Sequence, residues 1–147
     1  MSRLCLTPRR SSRGVTEAAI QRGVASYLRH LSSITGAFTF THPANEGKRS
    51  PIQGAILKAA GLQAGEPDII LFLRGGQAAF IELKNGQGSL SLPQRQRHDV
   101  LRGLGFDVDV VKARSVPEAI GQVEDIMQRL GIVANGRIGA KFSGFSG

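Results

Sequence analysis

Only 11 acidic residues are spread over 147 positions, so a carboxylate set in an apolar run stands out. Glu82 lies in Phe80-Ile-Glu-Leu-Lys84. Side chains two apart on a strand share a face, which puts Phe80, Glu82 and Lys84 on one side and Ile81 and Leu83 on the other. A carboxylate beside an ammonium at a strand end is either a plain ion pair or a reactive one. Asp68 follows Glu66-Pro67 and opens the apolar run Ile69 to Leu73. If the two runs form a hairpin, Asp68 returns beside Glu82. Two carboxylates held together repel unless a cation lies between them, and hard oxygen ligands suit magnesium or manganese. Taken alone, Asp68 is as readily a turn or cap aspartate after proline.

Two further side chains are candidates to join this pair. Ile20, Val24, Tyr27, Leu28 and Leu31 form one helical stripe, and Glu17 falls roughly 36° from its centre. An acid on that side is unusual, although the first turn of a helix also favours an acid through its dipole. Gln94 follows Ser91 by one turn; it either completes a capping box or holds a water or phosphate oxygen near the carboxylates. His98 lies one turn further on the same face and reads as a packing residue rather than a base. His42, Asn45 and Glu46 sit in a loop that needs no function to explain it.

The elements that must position these residues are well punctuated. A first helix is expected from about Thr16 to Leu31, and a strand over residues 37–42, where Phe38 and Phe40 alternate with threonines. Ser50-Pro-Ile-Gln53 opens a second helix that Gly61 ends. The runs 68–73 and 77–84, separated by Arg74-Gly-Gly76, read as a hairpin. The first run is apolar throughout, which predicts a strand covered on both faces. An odd-numbered loop pairs Ile70 with Phe80 and Asp68 with Glu82, whereas a two-residue loop turns Asp68 to the wrong face, so the odd register is expected. Ser91-Leu-Pro-Gln94 opens a helix to about Leu104. Phe106, Val108 and Val110 alternate with Asp107 and Asp109 as a further strand. Ser115-Val-Pro-Glu118 caps a last helix with Ile120, Val123, Met127 and Leu130 inward. The order αβαββαβα implies an α/β fold with a mixed sheet flanked by helices.

The net charge is +8, and 14 of the 19 basic residues are arginine, a balance that attracts polyanions such as nucleic acid or simply solvates the surface. Arg9, Arg10 and Arg13 on a basic arm spanning residues 1–14, with Lys48, Arg49 and Arg95, are the candidate phosphate contacts. Aromatics are 5% with no tryptophan, too few for a base-stacking platform, so backbone-directed binding to duplex or branched nucleic acid suits the composition better. The lone Cys5 excludes an internal disulfide and fits a reducing compartment, the cytoplasm or a host cell's cytoplasm for a viral chain. No apolar run can span a bilayer and none follows the N-terminal arginines as a secretory signal would. One domain is expected over residues 15–131, followed by a Gly/Ser-rich tail at 132–147.

Taken together, Glu17, Gly65-Glu-Pro-Asp68, Phe80-Ile-Glu-Leu-Lys84, Ser91-Leu-Pro-Gln94 and the strand after Gly105 resemble the VRR-NUC domain, a branch of the PD-(D/E)XK nucleases, from about Thr16 to Ser115. The resemblance implies a restriction-endonuclease-like core and a Mg²⁺- or Mn²⁺-dependent nuclease. It implies Glu17, Asp68 and Glu82 as metal ligands, with the Leu83 backbone carbonyl beside them, Lys84 as the catalytic lysine and Gln94 as the motif glutamine. It also implies a homodimer that cuts branched DNA, including four-way (Holliday) junctions, as in DNA repair. Cleavage of flaps or linear duplex, or a DNA-binding module without catalysis, are the alternatives.

Overall fold

The computed structural model describes residues 14–43 and 50–133. The elements are α1 (Glu17–Thr35), β1 (Phe38–Thr41), α2 (Pro51–Ala59), β2 (Ile69–Leu73), β3 (Gln77–Asn85), α3 (Leu92–Gly103), β4 (Asp107–Ala113) and α4 (Val116–Arg129). Their order is the αβαββαβα expected. The caps explain where the helices begin. Thr16 accepts from the Ala19 N–H, Ser50 and Ser91 each sit in a complete capping box, and Ser115 accepts from the Glu118 N–H. Helix α1 runs past Leu31 to Thr35, because the first residue able to take the left-handed cap without strain is Gly36, at φ 58°.

The strands form one sheet in the order β1-β2-β3-β4. The first two pairings are antiparallel and β3 pairs parallel with β4, so the sheet is mixed and α3 is the crossover between the parallel strands. Strand β2 meets β3 with Leu73 opposite Gln77 and Ile70 opposite Phe80. A three-residue turn, Arg74–Gly76, with both glycines at positive φ, makes this odd register. One step beyond the ladder, Asp68 comes opposite Glu82.

Helices α1 and α4 cover one face of the sheet, where Ile20, Val24, Leu28, Ile69, Leu71, Ile81, Leu83, Val111, Val123 and Met127 make the main core. A smaller cluster of Phe80, Leu101 and Val108 lies under α3 on the other face. This division corrects the expected covering of β2 on both faces. Strand β2 is fully buried only on the α1 side; Phe72, on the α3 side, is 48% exposed because α3 sits over β3 and β4 and α2 buries no residue. Strand β4 is apolar on both sides, with Val108 facing α3 and Val111 and Ala113 facing α1 and α4. On α4, Ala119 and Ile126 are buried with Val123 and Met127, while Ile120 and Leu130 are half-buried at the margin of that stripe. Ile132 and Val133, expected as the start of a tail, pack against the main core. Arg9, Arg10, Arg13, Asn45, Glu46, Lys48 and Arg49 lie outside the described residues, as does the remainder of the C-terminal segment.

Candidate active site

Strand β3 carries Glu82 into the centre of the sheet, where its side chain is fully buried. Burying a carboxylate is costly unless partners replace its water. Its Oε1 accepts from Lys84 Nζ at 3.0 Å and from Gln94 Nε2 at 2.6 Å. Lys84 reaches it because residues two apart on β3 share a face, and Gln94 reaches it because α3 starts directly over that face. Gln94 completes the capping box expected of it and also reaches the carboxylate. Its Oε1 accepts from the Ser91 N–H at 2.9 Å as the cap requires, while its amide nitrogen serves Glu82.

Asp68 lies just before β2, half-buried, and its Oδ2 accepts from the Leu83 N–H at 2.7 Å. Its backbone oxygen is 2.5 Å from His42 Nδ1, which anchors the end of β1 to the start of β2. Glu17 arrives from the first turn of α1. A Cβ placed on Gly88, in the loop after β3, would lie 2.8 Å from Glu17 Oε1 and 3.3 Å from Lys84 Cδ, so a glycine there lets the carboxylate approach. Glu17, Gln21, Arg22, Asp68 and Leu83 line a cavity of about 180 Å³. A second cavity, of about 350 Å³, shares Asp68 and is walled by Gly65, Glu66, Ser91, Pro93 and Gln94.

Glu82 feels the charge of both other acids. Burial, then the Asp68 charge, push the Glu82 carboxyl up to about 7; Glu17 adds to the rise, and Lys84 opposes it through its hydrogen bond and charge. For Lys84, burial works downward, but the hydrogen bond and charge of Glu82, followed by Glu17 and Asp68, outweigh it and the net direction is up. Among the described residues no group of three His, Cys, Asp or Glu side chains is already drawn together as a ligand set. The donors nevertheless fit a hard divalent cation. They are carboxylates whose repulsion a cation would relieve, and Glu82 Oε2 is buried with no hydrogen-bond partner.

Several residues of this neighbourhood carry contacts that sequence reasoning did not assign to them. Arg22 stands in the Glu17 cavity, and nothing in its local sequence marks it. Glu66 pairs with Arg97 Nε at 2.7 Å, tying the segment before β2 to α3. Gly65, at φ 76°, is pressed against α3, where a Cβ would meet the Pro93 oxygen at 2.4 Å. His98, read as packing, is fully buried with Nε2 3.6 Å from Glu82 Oε2; burial, then Arg102, lower its pKa. Its position one turn beyond Gln94 was the available signal. Arg95 is exposed and donates to the Leu90 oxygen.

Residues 43–115 match the family model of the VRR-NUC domain, a window that contains Asp68, Glu82, Lys84 and Gln94. This segment is a VRR-NUC domain. The match begins after α1, so Glu17, counted within the resemblance on sequence grounds, falls outside it. A solved VRR_NUC domain protein superposes on the chain with a TM-score of 0.59 at 21% identity, covering 88% of this chain and 100% of its own. That likeness extends the fold assignment beyond the matched window and agrees with a restriction-endonuclease-like arrangement. A second solved structure, also a VRR_NUC domain, has a TM-score of 0.47 at 21% identity over 74% of this chain and 94% of its own. No curated protein matches. A VRR-NUC domain implies a nuclease-type function with DNA as the substrate. Among the described residues no helix is long and apolar enough to cross a membrane.

Proposed function

We propose that this VRR-NUC protein is a Mg²⁺- or Mn²⁺-dependent DNA endonuclease that hydrolyses phosphodiester bonds in branched DNA, four-way junctions included, and works as a homodimer. The observation that carries the catalytic part is Glu82, a fully buried carboxylate between Lys84 and Gln94 with two more acids coupled to its charge. Glu17, Asp68 and Glu82, with the Leu83 carbonyl, would hold the cation. A divalent metal held there would supply an acidified water and offset charge on the phosphoryl oxygens. Lys84 keeps an ammonium at the reacting phosphate, where it orients the attacking water or stabilises the transition state. Gln94 fixes the Glu82 carboxylate through its amide nitrogen and keeps α3 seated on the site through its cap. The +8 charge favours a phosphate-rich partner, with Arg95 as one exposed contact and Arg9, Arg10, Arg13, Lys48 and Arg49 as further candidates.

The dimer proposal draws support from exposed Phe72, Val100 and Leu104 on the α3 side of the sheet, apolar surface that a second copy would cover. A two-fold pair supplies two matched sites for the two strands cut in a junction. The test is cleavage of labelled four-way, flapped, nicked and linear DNA with Mg²⁺, Mn²⁺ or chelator. Metal-dependent paired cuts in the four-way substrate are expected. Cutting of flaps or linear duplex instead would overturn the substrate. Binding without cutting in either metal would overturn the enzyme.

A further inference from the structure

His98 is unaccounted for by the roles above. It is fully buried in α3, and neither ring nitrogen has a hydrogen-bond partner. Nε2 points at the one other buried side-chain atom without a partner among the described residues, Glu82 Oε2, across 3.6 Å. A buried donor and a buried acceptor left without partners are both costly, and a small closing motion satisfies one of each together. Gln94 and Lys84 already hold Oε1. A carboxylate gripped at one oxygen still pivots about that contact, and a donor on the second oxygen sets its plane. Leu101, one turn from His98 on the same side of α3, packs with Phe80 and Val108, which keeps the imidazole from moving away.

We propose that His98 is a positioning residue: its Nε2–H donates to Glu82 Oε2 and fixes the orientation of that carboxylate for cation binding. The inference rests on the metal site proposed above, and it requires the imidazole to carry its proton on Nε2.

The tautomer tests it without any metal. Long-range ¹H–¹⁵N spectra of the chelator-treated full chain at pH 8.5, where Glu82 is ionised and both its oxygens accept, are expected to show His98 neutral with the proton on Nε2; a proton on Nδ1 overturns the proposal. Calorimetric titration with Mn²⁺ gives the second readout. His98→Gln places an amide N–H near the Nε2 position and is expected to bind Mn²⁺ close to wild type. His98→Leu fills the volume without a donor and is expected to bind about tenfold more weakly. Equal affinity for His98→Leu and wild type, or for His98→Gln and His98→Leu, overturns the role. If His98→Leu does not fold, His98→Asn, whose amide falls near the Nδ1 position, takes its place with the same expectation. Glu82→Ala separates the two ideas. Undiminished Mn²⁺ binding in that variant removes the metal site and the His98 role together. Weakened binding in Glu82→Ala with unchanged binding in His98→Leu removes only the latter.

Discussion

Replacing Glu82 with glutamine should make the metal-free protein less sensitive to alkaline pH while abolishing cleavage. The carboxyl titrates near 7 in the folded protein against 4.5 for an ordinary glutamate. Because the folded pKa is the higher one, the folded state holds this proton more tightly. The resulting stability is fully present below pH 4.5 and is lost as pH rises through about 7. At about 1.4 kcal/mol per pH unit, the interval between those two values sets a loss of about 3 kcal/mol. For a domain of this size that is on the order of 10 °C in midpoint. Glutamine at position 82 keeps an oxygen for Lys84 and Gln94 but never ionises, so the variant lacks this loss. The assay is urea unfolding followed by circular dichroism, in chelator, from pH 4.5 to 8.5. The difference in unfolding free energy, wild type minus Glu82→Gln, cancels the other titrating groups and should fall by about 2–3 kcal/mol across the range. Mg²⁺ added at pH 8 should restore stability to wild type and not to the variant, since a ligand of the folded state stabilises by mass action. A difference that stays flat or rises with pH would refute the claim that Glu82 is held protonated by burial and like charge.

Lys84→Ala should lower the cleavage rate about 10²–10³-fold, the cost typical of losing one transition-state donor, while the circular-dichroism spectrum stays that of wild type; undiminished turnover excludes it from the reaction. Gly65→Ala should destabilise by about 1–3 kcal/mol, because a left-handed backbone and a 2.4 Å approach to the Pro93 oxygen both reject a methyl group, and a thermal midpoint equal to wild type would show that α3 yields there. Gly23→Ala should cost about 1–3 kcal/mol through a 2.2 Å clash with Val116 Cγ1, and Val116→Ala in the same chain should recover most of it, a coupling measurable in a double-mutant cycle. The DNA affinity should fall with salt at a log–log slope of about −0.9 per phosphate neutralised, and deletion of residues 2–13 should reduce that slope if the arm touches DNA.

What the sequence determined by itself was local and periodic. Capping boxes at Ser50 and Ser91 are specified within four residues, so both helix starts were legible. Gly75-Gly76 marked the turn, and the need for Asp68 to face Glu82 favoured the odd register that Arg74–Gly76 makes. The period of two on β3 put Lys84 beside Glu82. Only the tertiary structure decided the rest, because it depends on which element crosses over which. The apolar run of β2 reads as doubly covered, yet α3 lies over β3 and β4 and leaves Phe72 half-exposed. His98 reads as a packing residue on its own helix. It meets Glu82 only because α3 docks on that face of the sheet, at a separation of 16 residues along the chain that no periodicity encodes. Glu17 likewise joins the site through a gap left at Gly88, 71 residues away, where the requirement is for empty space rather than for a side chain. Burial and the field of neighbouring charges, which push the Glu82 carboxyl up to about 7, exist only once those elements have come together.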